Sequence, residues 1–289
     1  MAVVNRDLEA VRAYLDYFRD LGVYDFYRNG ALGGLSVATI VAGQASAEGP
    51  HSVSHEEARD ATRTVAVAAA SSEREADIPK LISLNDLAPL SGSRVAAGAR
   101  AAALETIRVE IGDCTRCPLA YGGRRTIVFG NGDPQARLMF VGEGPGADED
   151  AQGLPFVGKS GQLLNNMIGA MGLTREQVYV ANIVKCRPPA NRAPEPAEAN
   201  TCTQFLVQQM DVVQPEVVVA LGTTAAMYLL GVKQSLASLR GRWHEVRGAK
   251  VAVTYHPAFL LRDPRQKGEA WKDLQMVMAE LGLKGAAKT

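Results

Sequence analysis

Four cysteines are the residues of this chain whose types and spacing most directly suggest chemistry. Cys114 and Cys117 form a C-x-x-C pair, Cys186 and Cys202 follow at two later places, and the chain contains no other cysteine. Four thiolates from three separate places can enclose zinc or an iron–sulfur cluster, and the ligand count alone does not separate these two. Buried, unligated cysteines are the alternative interpretation.

Residues 153–160 read GLPFVGKS and match the phosphate-loop pattern G-x-x-x-x-G-K-[ST]. A phosphate loop leaves a buried strand directly, so that its N–H groups can surround the phosphates. Here the acidic stretch ADEDAQ comes before the motif, Pro155 removes one N–H, and Phe156 is bulky. The apolar run at 217–221 leads into Gly222, not into a magnesium-binding Asp. This context disfavours an NTPase, which remains the first alternative function.

The elements that must position these residues are predicted from four short apolar or β-branched runs, each followed by a loop and a helical pattern. The runs cover residues 137–141, 178–184, 217–221 and 250–254, and the helical patterns cover 161–171, 196–213, 223–230 and 267–281. Near-continuously apolar strands that alternate with helices predict an α/β fold with a parallel sheet covered on both faces. Because ligands bind beyond the carboxyl ends of such strands, the loops 142–161, 185–196 and 255–262 should form the site.

The first hundred residues differ in character from the rest of the 289-residue chain. Residues 1–29 are predicted to form an amphipathic helix with an unknown partner, and 30–100 have the Ala/Ser/Gly-rich composition of a disordered linker. Residues 101–289 should form the functional domain. The net charge is zero, but residues 183–272 carry 12 basic against 7 acidic side chains, which favours a local phosphate-binding face. No secretory signal or membrane span is apparent, so a cytoplasmic protein is expected.

Four segments taken in order resemble the signature segments of family 4 uracil-DNA glycosylases, the iron–sulfur enzymes of their superfamily. They read GEGPGADED (142–150), GLPFVGKSGQLL (153–164), NIVKCRPPANRAPEP (182–196) and HPAFLLRDP (256–264). The resemblance covers roughly residues 104–281. It implies a three-layer α/β/α sandwich with a four-stranded, mostly parallel sheet, and removal of uracil from DNA to leave an abasic site. We expect the protein to be a monomer.

The resemblance also implies roles for particular residues. It favours a 4Fe–4S cluster held by Cys114, Cys117, Cys186 and Cys202. A flipped uracil would meet the amide of Asn182 and the ring of Phe156, with Gly144 allowing close approach of the backbone. Read alone, Asn182 could instead cap a turn, and Phe156 could be a core residue.

Cleavage of the glycosidic bond leaves negative charge on uracil O2 and a cationic sugar. His256 is expected to donate a hydrogen bond to O2. Glu143 is the main candidate for the catalytic carboxylate and Asp150 the second, because the superfamily's best-known branch has an Asp where this chain has Gly144. Asp148 and Glu149 could equally cap a helix or face solvent.

The remaining predictions concern uracil-containing DNA, single- or double-stranded. Phosphate contacts are expected from Lys185, Arg187, Arg192 and Arg262, and insertion into the base stack from Leu260 and Leu261. A cluster-bearing module that binds DNA without cleaving it is the second alternative function.

Overall fold

The computed structural model describes residues 81–88 and 94–285, all within the unit Ser71–Thr289. The predicted N-terminal helix over 1–29 and most of the predicted linker lie outside the described residues.

The described residues contain six strands and nine α-helices. The strands are β1 (Asn131–Gly132), β2 (Leu138–Gly142), β3 (Tyr179–Asn182), β4 (Val217–Leu221), β5 (His244–Val246) and β6 (Ala249–Thr254). The helices are α1 (Leu84–Leu87), α2 (Arg100–Ile111), α3 (Ala147–Gln152), α4 (Lys159–Ala170), α5 (Pro196–Val213), α6 (Gly222–Leu230), α7 (Leu236–Leu239), α8 (Pro257–Arg262) and α9 (Lys267–Leu281). Five short 3₁₀ turns complete the described elements, at Ala97–Ala99, Pro118–Tyr121, Arg175–Gln177, Pro189–Asn191 and Pro264–Gln266.

The strands form one mixed sheet in the order β1-β3-β2-β4-β6-β5. The four central strands are mutually parallel and correspond to the four predicted apolar runs. The outer strands β1 and β5 are antiparallel to their neighbours, so the prediction of a four-stranded sheet is wrong in number. Both edge strands are too short and too polar to produce the apolar pattern that identified the central four.

Successive side chains of the central strands point to opposite faces of the sheet and enter two separate cores. Met139 and Val141 of β2 pack with α2, α5 and α6 on one face, whereas Leu138 and Phe140 pack with α4 and α9 on the other. The fold is therefore a three-layer α/β/α arrangement. Among the described residues, no helix combines the length and the apolar character that a membrane crossing requires.

The segment just before the predicted domain boundary at residue 101 differs from the sequence prediction. Leu84 in α1 is fully buried in the core, and Arg247 Nη1 donates hydrogen bonds to the carbonyls of Leu84 (3.1 Å) and Ala88 (2.8 Å). Gly231, at φ +69°, fits against this segment because a Cβ there would lie 2.6 Å from the Ser83 nitrogen. The linker prediction is corrected for residues 81–88, which pack on the domain.

Candidate functional site

A cavity of about 440 Å³ opens at the carboxyl ends of the parallel strands. Its walls come from the loops that follow β2, β3 and β6, which are the three loops that the sequence predicted. The lining residues are Glu143, Gly144, Pro145, Gly146, Glu149, Phe156, Ser160, Asn182, Pro188, Asn191, Arg192, His256, Ala258, Phe259 and Arg262. Among the predicted site residues, the cavity therefore brings together both uracil-binding side chains, His256, Glu143 and two of the arginines.

Asn182 ends β3 and lies opposite Gly142 of β2 in the parallel register. Its side chain is 2% exposed, and its Oδ1 has no hydrogen-bond partner among the described residues. A buried amide oxygen without a partner costs roughly 1–3 kcal/mol. Asn182 lines the cavity, and its Oδ1 is an acceptor that no donor among the described residues uses.

Phe156 lines the cavity together with Asn182. Its backbone has a constrained conformation. Its φ is +56°, in the left-handed region that non-glycine residues seldom adopt. The ring centroid lies 5.6 Å from that of His256, with an interplanar angle of 32°. A Cβ at Gly142 would lie 2.6 Å from the Phe156 ring and 2.5 Å from Asn182 Oδ1, so glycine is required beneath these two side chains. The ring and the amide thus lie together in one wall of the cavity, and the part of the cavity lined by Phe156, Asn182 and His256 is called the slot.

Glu149 holds the loop that carries Phe156. Its Oε1 accepts from the backbone nitrogens of Val157 (3.0 Å) and Gly158 (3.1 Å), and its Oε2 accepts from that of Gly146 (3.1 Å). The sequence left Glu149 undecided between a helix cap and a solvent-facing residue. The contact with Gly146 confirms the helix cap, and the two contacts with the 157–158 loop are an additional role.

We expect Glu149→Ala to lower the free energy of unfolding by about 2–4 kcal/mol, because three backbone donors lose a charged acceptor. Urea denaturation measures this loss. Asp148→Ala changes the exposed neighbouring carboxylate and should leave the urea midpoint nearly unchanged. Equal effects of the two substitutions would contradict a specific clasp by Glu149.

His256 is the N-cap of α8, and its tautomer follows from its backbone contact. Its Nδ1 accepts from the Ala258 backbone nitrogen at 3.1 Å, so in the neutral ring the proton must be on Nε2. Burial, together with the nearby positive charge of Arg262, lowers the pKa of His256 to about 4, against the opposing effect of Glu149. The ring is therefore neutral at physiological pH and has Nε2–H available as a donor.

Glu143 and Gly144 form the next part of the wall. Glu143 is half-buried and lines the cavity, and its carbonyl accepts from the Val184 nitrogen at 3.1 Å. A Cβ on Gly144 would lie 2.7 Å from Val184 Cγ2, so the glycine lets the two loops pass closely. The Glu143 carboxylate is thus available beside the slot.

Asp150, the second predicted catalytic carboxylate, lies outside this cavity. It is 1% exposed, and its Oδ1 accepts from the backbone nitrogens of Arg125 (2.8 Å) and Thr126 (3.2 Å). One residue along α3 rotates the side chain by about 100°, so Asp150 and Glu149 point to different surroundings. The assignment of a catalytic role to Asp150 is wrong, since the carboxylate stabilises the 125–126 loop.

Two predicted DNA contacts are also wrong. Lys185 is 1% exposed, and its ammonium donates to the Asn182 carbonyl (2.9 Å) and to Gln209 Oε1 (2.7 Å), so it cannot reach a phosphate. Leu260 is likewise 1% exposed because it packs on the inner face of α8. Leu261, the next residue, is 44% exposed and is the leucine that faces outward.

The remaining predicted DNA contacts lie on or near the rim. Arg192 and Arg262 are exposed and line the cavity. Arg192 is held by Glu198 through two hydrogen bonds, of 2.8 and 2.7 Å, and Arg187 Nε donates to Asn191 Oδ1 at 2.8 Å. These contacts fix the directions of the Arg187 and Arg192 guanidinium groups, and Arg262 adds an exposed cation to the cavity lining.

The phosphate-loop motif does not have the geometry of a phosphate loop. Strand β2 ends at Gly142, and α3 lies between that strand and the motif. The nitrogens of Val157 and Gly158, which would have to bind phosphate, are already bonded to Glu149. A carboxylate at this position would repel an anionic ligand, so the structure gives no support to the NTPase alternative.

The four cysteines line one small second pocket near the carboxyl end of β3. All four are unpaired. Cys114 and Cys117 follow α2, Cys186 follows β3, and Cys202 lies in α5. Arg124 Nη1 donates to Cys186 Sγ at 3.1 Å, and the Lys185 nitrogen donates to Cys202 Sγ at 3.3 Å. Burial raises the pKa of Cys117 and Cys186, and that of Cys202 to about 12.

These sulfur atoms are not arranged around a single ion. Among residues 81–88 and 94–285, no group of three or more His, Cys, Asp or Glu side chains has the geometry to hold one metal ion. The shared pocket and the two N–H donors directed at sulfur nevertheless suit four thiolates that bind a cluster of several metal ions. Such donors stabilise sulfur that carries negative charge.

Several residues of the site were missed from the sequence. Glu149, Asn191 and Phe259 line the cavity, and Arg124 contacts Cys186. For Glu149 the sequence indicated only the helix-cap alternative, since a carboxylate three residues after Gly146 at a helix start can bond back to the backbone; it did not place the side chain at the cavity. Arg124 had no signal, because its contact with Cys186 spans 62 residues of sequence.

Comparisons with known proteins agree with this geometry. A family profile described as "Uracil DNA glycosylase superfamily" matches residues 129–275. A type-4 uracil-DNA glycosylase from Thermotoga maritima is 44% identical over 164 residues, which cover 55% of this chain and 84% of that protein. A second type-4 enzyme, from Pyrobaculum aerophilum, is 41% identical over 181 residues, or 60% of this chain and 92% of the relative. A type-5 enzyme from the same organism is 30% identical over 179 residues, covering 50% and 78%. The chain belongs to the uracil DNA glycosylase superfamily, within its type-4 branch.

Proposed function

We propose that the protein hydrolyses the N-glycosidic bond of uracil in DNA and leaves an abasic site. The observation that carries the proposal is the buried, unpartnered Oδ1 of Asn182 in a slot formed with Phe156 and His256. The names of the type-4 relatives support the same reaction.

Uracil has the hydrogen-bonding pattern that this slot requires. Its N3–H can donate to Asn182 Oδ1 while the amide nitrogen donates to O4. Cytosine presents an acceptor at N3 and a donor at the neighbouring amine, so the same amide orientation would leave both groups mismatched. A base removed from the stack can also pack on the ring of Phe156. The slot therefore favours uracil over cytosine.

Departure of the base places negative charge on uracil O2, and His256 is the group to stabilise it. A neutral imidazole with its proton on Nε2 can donate without first gaining a proton. Donors held in place before the reaction need no reorganisation as charge develops. The N-cap contact with Ala258 supplies this fixed orientation.

Glu143 is the proposed catalytic carboxylate, which stabilises the cationic sugar or orients the attacking water. We expect Glu143→Gln to lower the single-turnover rate of base release about 10²- to 10³-fold, because the amide keeps the shape but removes the charge. Asp148→Asn, in the same acidic run but outside the cavity lining, is the control. Full activity of the Glu143 variant would remove this residue from the mechanism.

Uracil-containing DNA would approach the rim of the cavity. Arg187, Arg192 and Arg262 are proposed to contact phosphates, and the exposed Leu261 to fill the gap left by the flipped base. Phosphate contacts position the duplex or single strand without reading sequence, so these residues should affect DNA affinity more than base selectivity.

The four cysteines are proposed to hold a 4Fe–4S cluster. A cubane of four irons is wider than a single ion, so its thiolates stand farther apart than the ligands of one metal ion. The donor set is all thiolate, as such clusters prefer. The cluster would fasten the segment after α2 to β3 and α5, which gives it a structural contribution.

We expect Arg124→Met to shift the reduction potential of the bound cluster downward, since a positive donor beside Cys186 favours added negative charge. Redox titration followed by visible absorbance measures the shift, and iron per chain measures retention. Arg137→Met, which removes an exposed arginine paired with Glu216 at the opposite end of β2, is the control. An unchanged potential in iron-replete Arg124→Met protein would contradict the assignment.

The function itself is tested by incubating the purified protein with labelled oligonucleotides that contain one uracil, followed by alkali. Strand cleavage at the uracil position is the expected result. Intact strands, from protein that carries its full iron and binds the oligonucleotide, would instead favour a DNA-binding module without catalysis.

A further inference from the structure

Lys185 is a buried cation that lies between the cavity and the cysteine pocket. Its side chain is 1% exposed, and its Nζ donates to the Asn182 carbonyl at 2.9 Å. Its own backbone nitrogen donates to Cys202 Sγ at 3.3 Å. One residue therefore contacts both the asparagine that faces the slot and a cysteine of the other site.

The Asn182 carbonyl needs a partner for a topological reason. On this side of β3 the short strand β1 pairs only with Tyr179 and Val180, so the ladder ends before Asn182. A buried carbonyl without a partner is costly, and within the described part of the chain no strand pairs with Asn182 on this side of β3. The Lys185 ammonium donates to this carbonyl in place of a neighbouring strand. This hydrogen bond lies immediately behind the Asn182 side chain.

Gln209 fixes the ammonium in turn. Its Oε1 accepts from Lys185 Nζ at 2.7 Å, and its Nε2 donates to the Phe129 carbonyl at 2.8 Å and to the Tyr179 hydroxyl at 3.3 Å. Gln209 is fully buried in α5. The amide is therefore engaged at both ends, and it ties the lysine to the sheet and to the helix that carries Cys202.

We propose that Lys185, supported by Gln209, is the positioning residue that orients the Asn182 amide toward uracil. This inference rests on the proposed function. The apolar alternative at position 185 would satisfy the core as well as the lysine stem does, but it would leave the Asn182 carbonyl without a donor. The contact of the Lys185 ammonium with the Asn182 carbonyl, behind the slot, thus explains why position 185 carries a charged side chain. The contact of the Lys185 backbone nitrogen with Cys202 also links this residue to the cysteine pocket.

The test is a double-mutant cycle on the full chain with its iron–sulfur content measured. Lys185→Met should slow single-turnover release of uracil about tenfold to a hundredfold, the loss expected for one hydrogen bond to a charged group. Combined with Asn182→Ala, which removes the positioned amide, Lys185→Met should cause almost no further loss. Affinity for free uracil, measured by equilibrium dialysis, should weaken about tenfold in Lys185→Met alone.

A matched control is Arg247→Met, which removes another buried cation, one that pairs with Asp211 away from the cavity. It should lower stability while its cycle with Asn182→Ala stays additive. If Lys185→Met fails to fold or to hold iron, Gln209→Met is carried through the same cycle and decides the question. Additive losses in the cycle, or unchanged affinity for free uracil, would overturn the positioning role. Wild-type cleavage of uracil-containing DNA would then still support the proposed function.

Discussion

Asn182→Ala should reduce the rate of uracil release about 10²- to 10⁴-fold, because two hydrogen bonds to the base edge are lost at once. The large effect follows from the unusual state of this amide, whose Oδ1 is buried without a partner among the described residues. The free-energy penalty of burying that oxygen without a partner is present in the folded protein before uracil binds. Binding uracil then supplies the missing donor, so the whole interaction favours the correct base.

The measurement is single-turnover base release with enzyme in excess over a uracil-containing oligonucleotide. Asn131→Ala is the matched control, since Asn131 lies in β1 beside β3 but is exposed and outside the cavity lining. Asn182→Ala should also be more stable than the wild type or equal to it, because it removes a buried unsatisfied oxygen. A variant that is slow only because it is unfolded would show the opposite change in urea denaturation.

The central sheet could be predicted from the sequence because it is a property of local pattern. Val217–Leu221 is apolar at every position, and a strand buried on both faces leaves that signature. β5 lacked it, since His244–Val246 includes the exposed Glu245 and lies at an edge. The two-residue β1 is defined only by its pairing with β3, which no local pattern encodes.

Within the site, residue types were predicted more reliably than side-chain directions. Adjacent residues in one motif, such as Leu260 and Leu261, have opposite environments because a helix rotates each side chain by about 100°. The same rotation separates Glu149, at the cavity, from Asp150, at the 125–126 loop. Lys185 illustrates a different limit. The sequence prediction placed Lys185 among the phosphate contacts, and only its contacts with Asn182 and Gln209 revealed a buried role.

His256→Ala should lower the rate about 10²- to 10³-fold, the usual cost of removing one preorganised donor to a developing negative charge. The loss should be nearly independent of pH between about 5.5 and 8. Burial holds the pKa of His256 at about 4, so the wild-type imidazole is neutral throughout that range. His256→Asn tests the geometry, because its amide oxygen can still accept from the Ala258 nitrogen but presents no Nε2–H. It should be as slow as the alanine variant.

The pH profile of Arg262→Gln tests the electrostatic part of this assignment. The positive charge of Arg262 lowers the pKa of His256, so its removal should move the acid limb of the single-turnover profile to higher pH. Arg265→Gln, which removes a nearby exposed arginine paired with Asp263, should leave the acid limb unchanged.

The stability of each variant must be measured over the same pH range. A buried neutral histidine loses stability as pH falls from its unfolded pKa of about 6.5 toward 4, since the unfolded chain binds the proton first. If the acid limb follows the pH dependence of unfolding and does not shift in Arg262→Gln, the effect of His256 on the rate would come only from its contribution to stability.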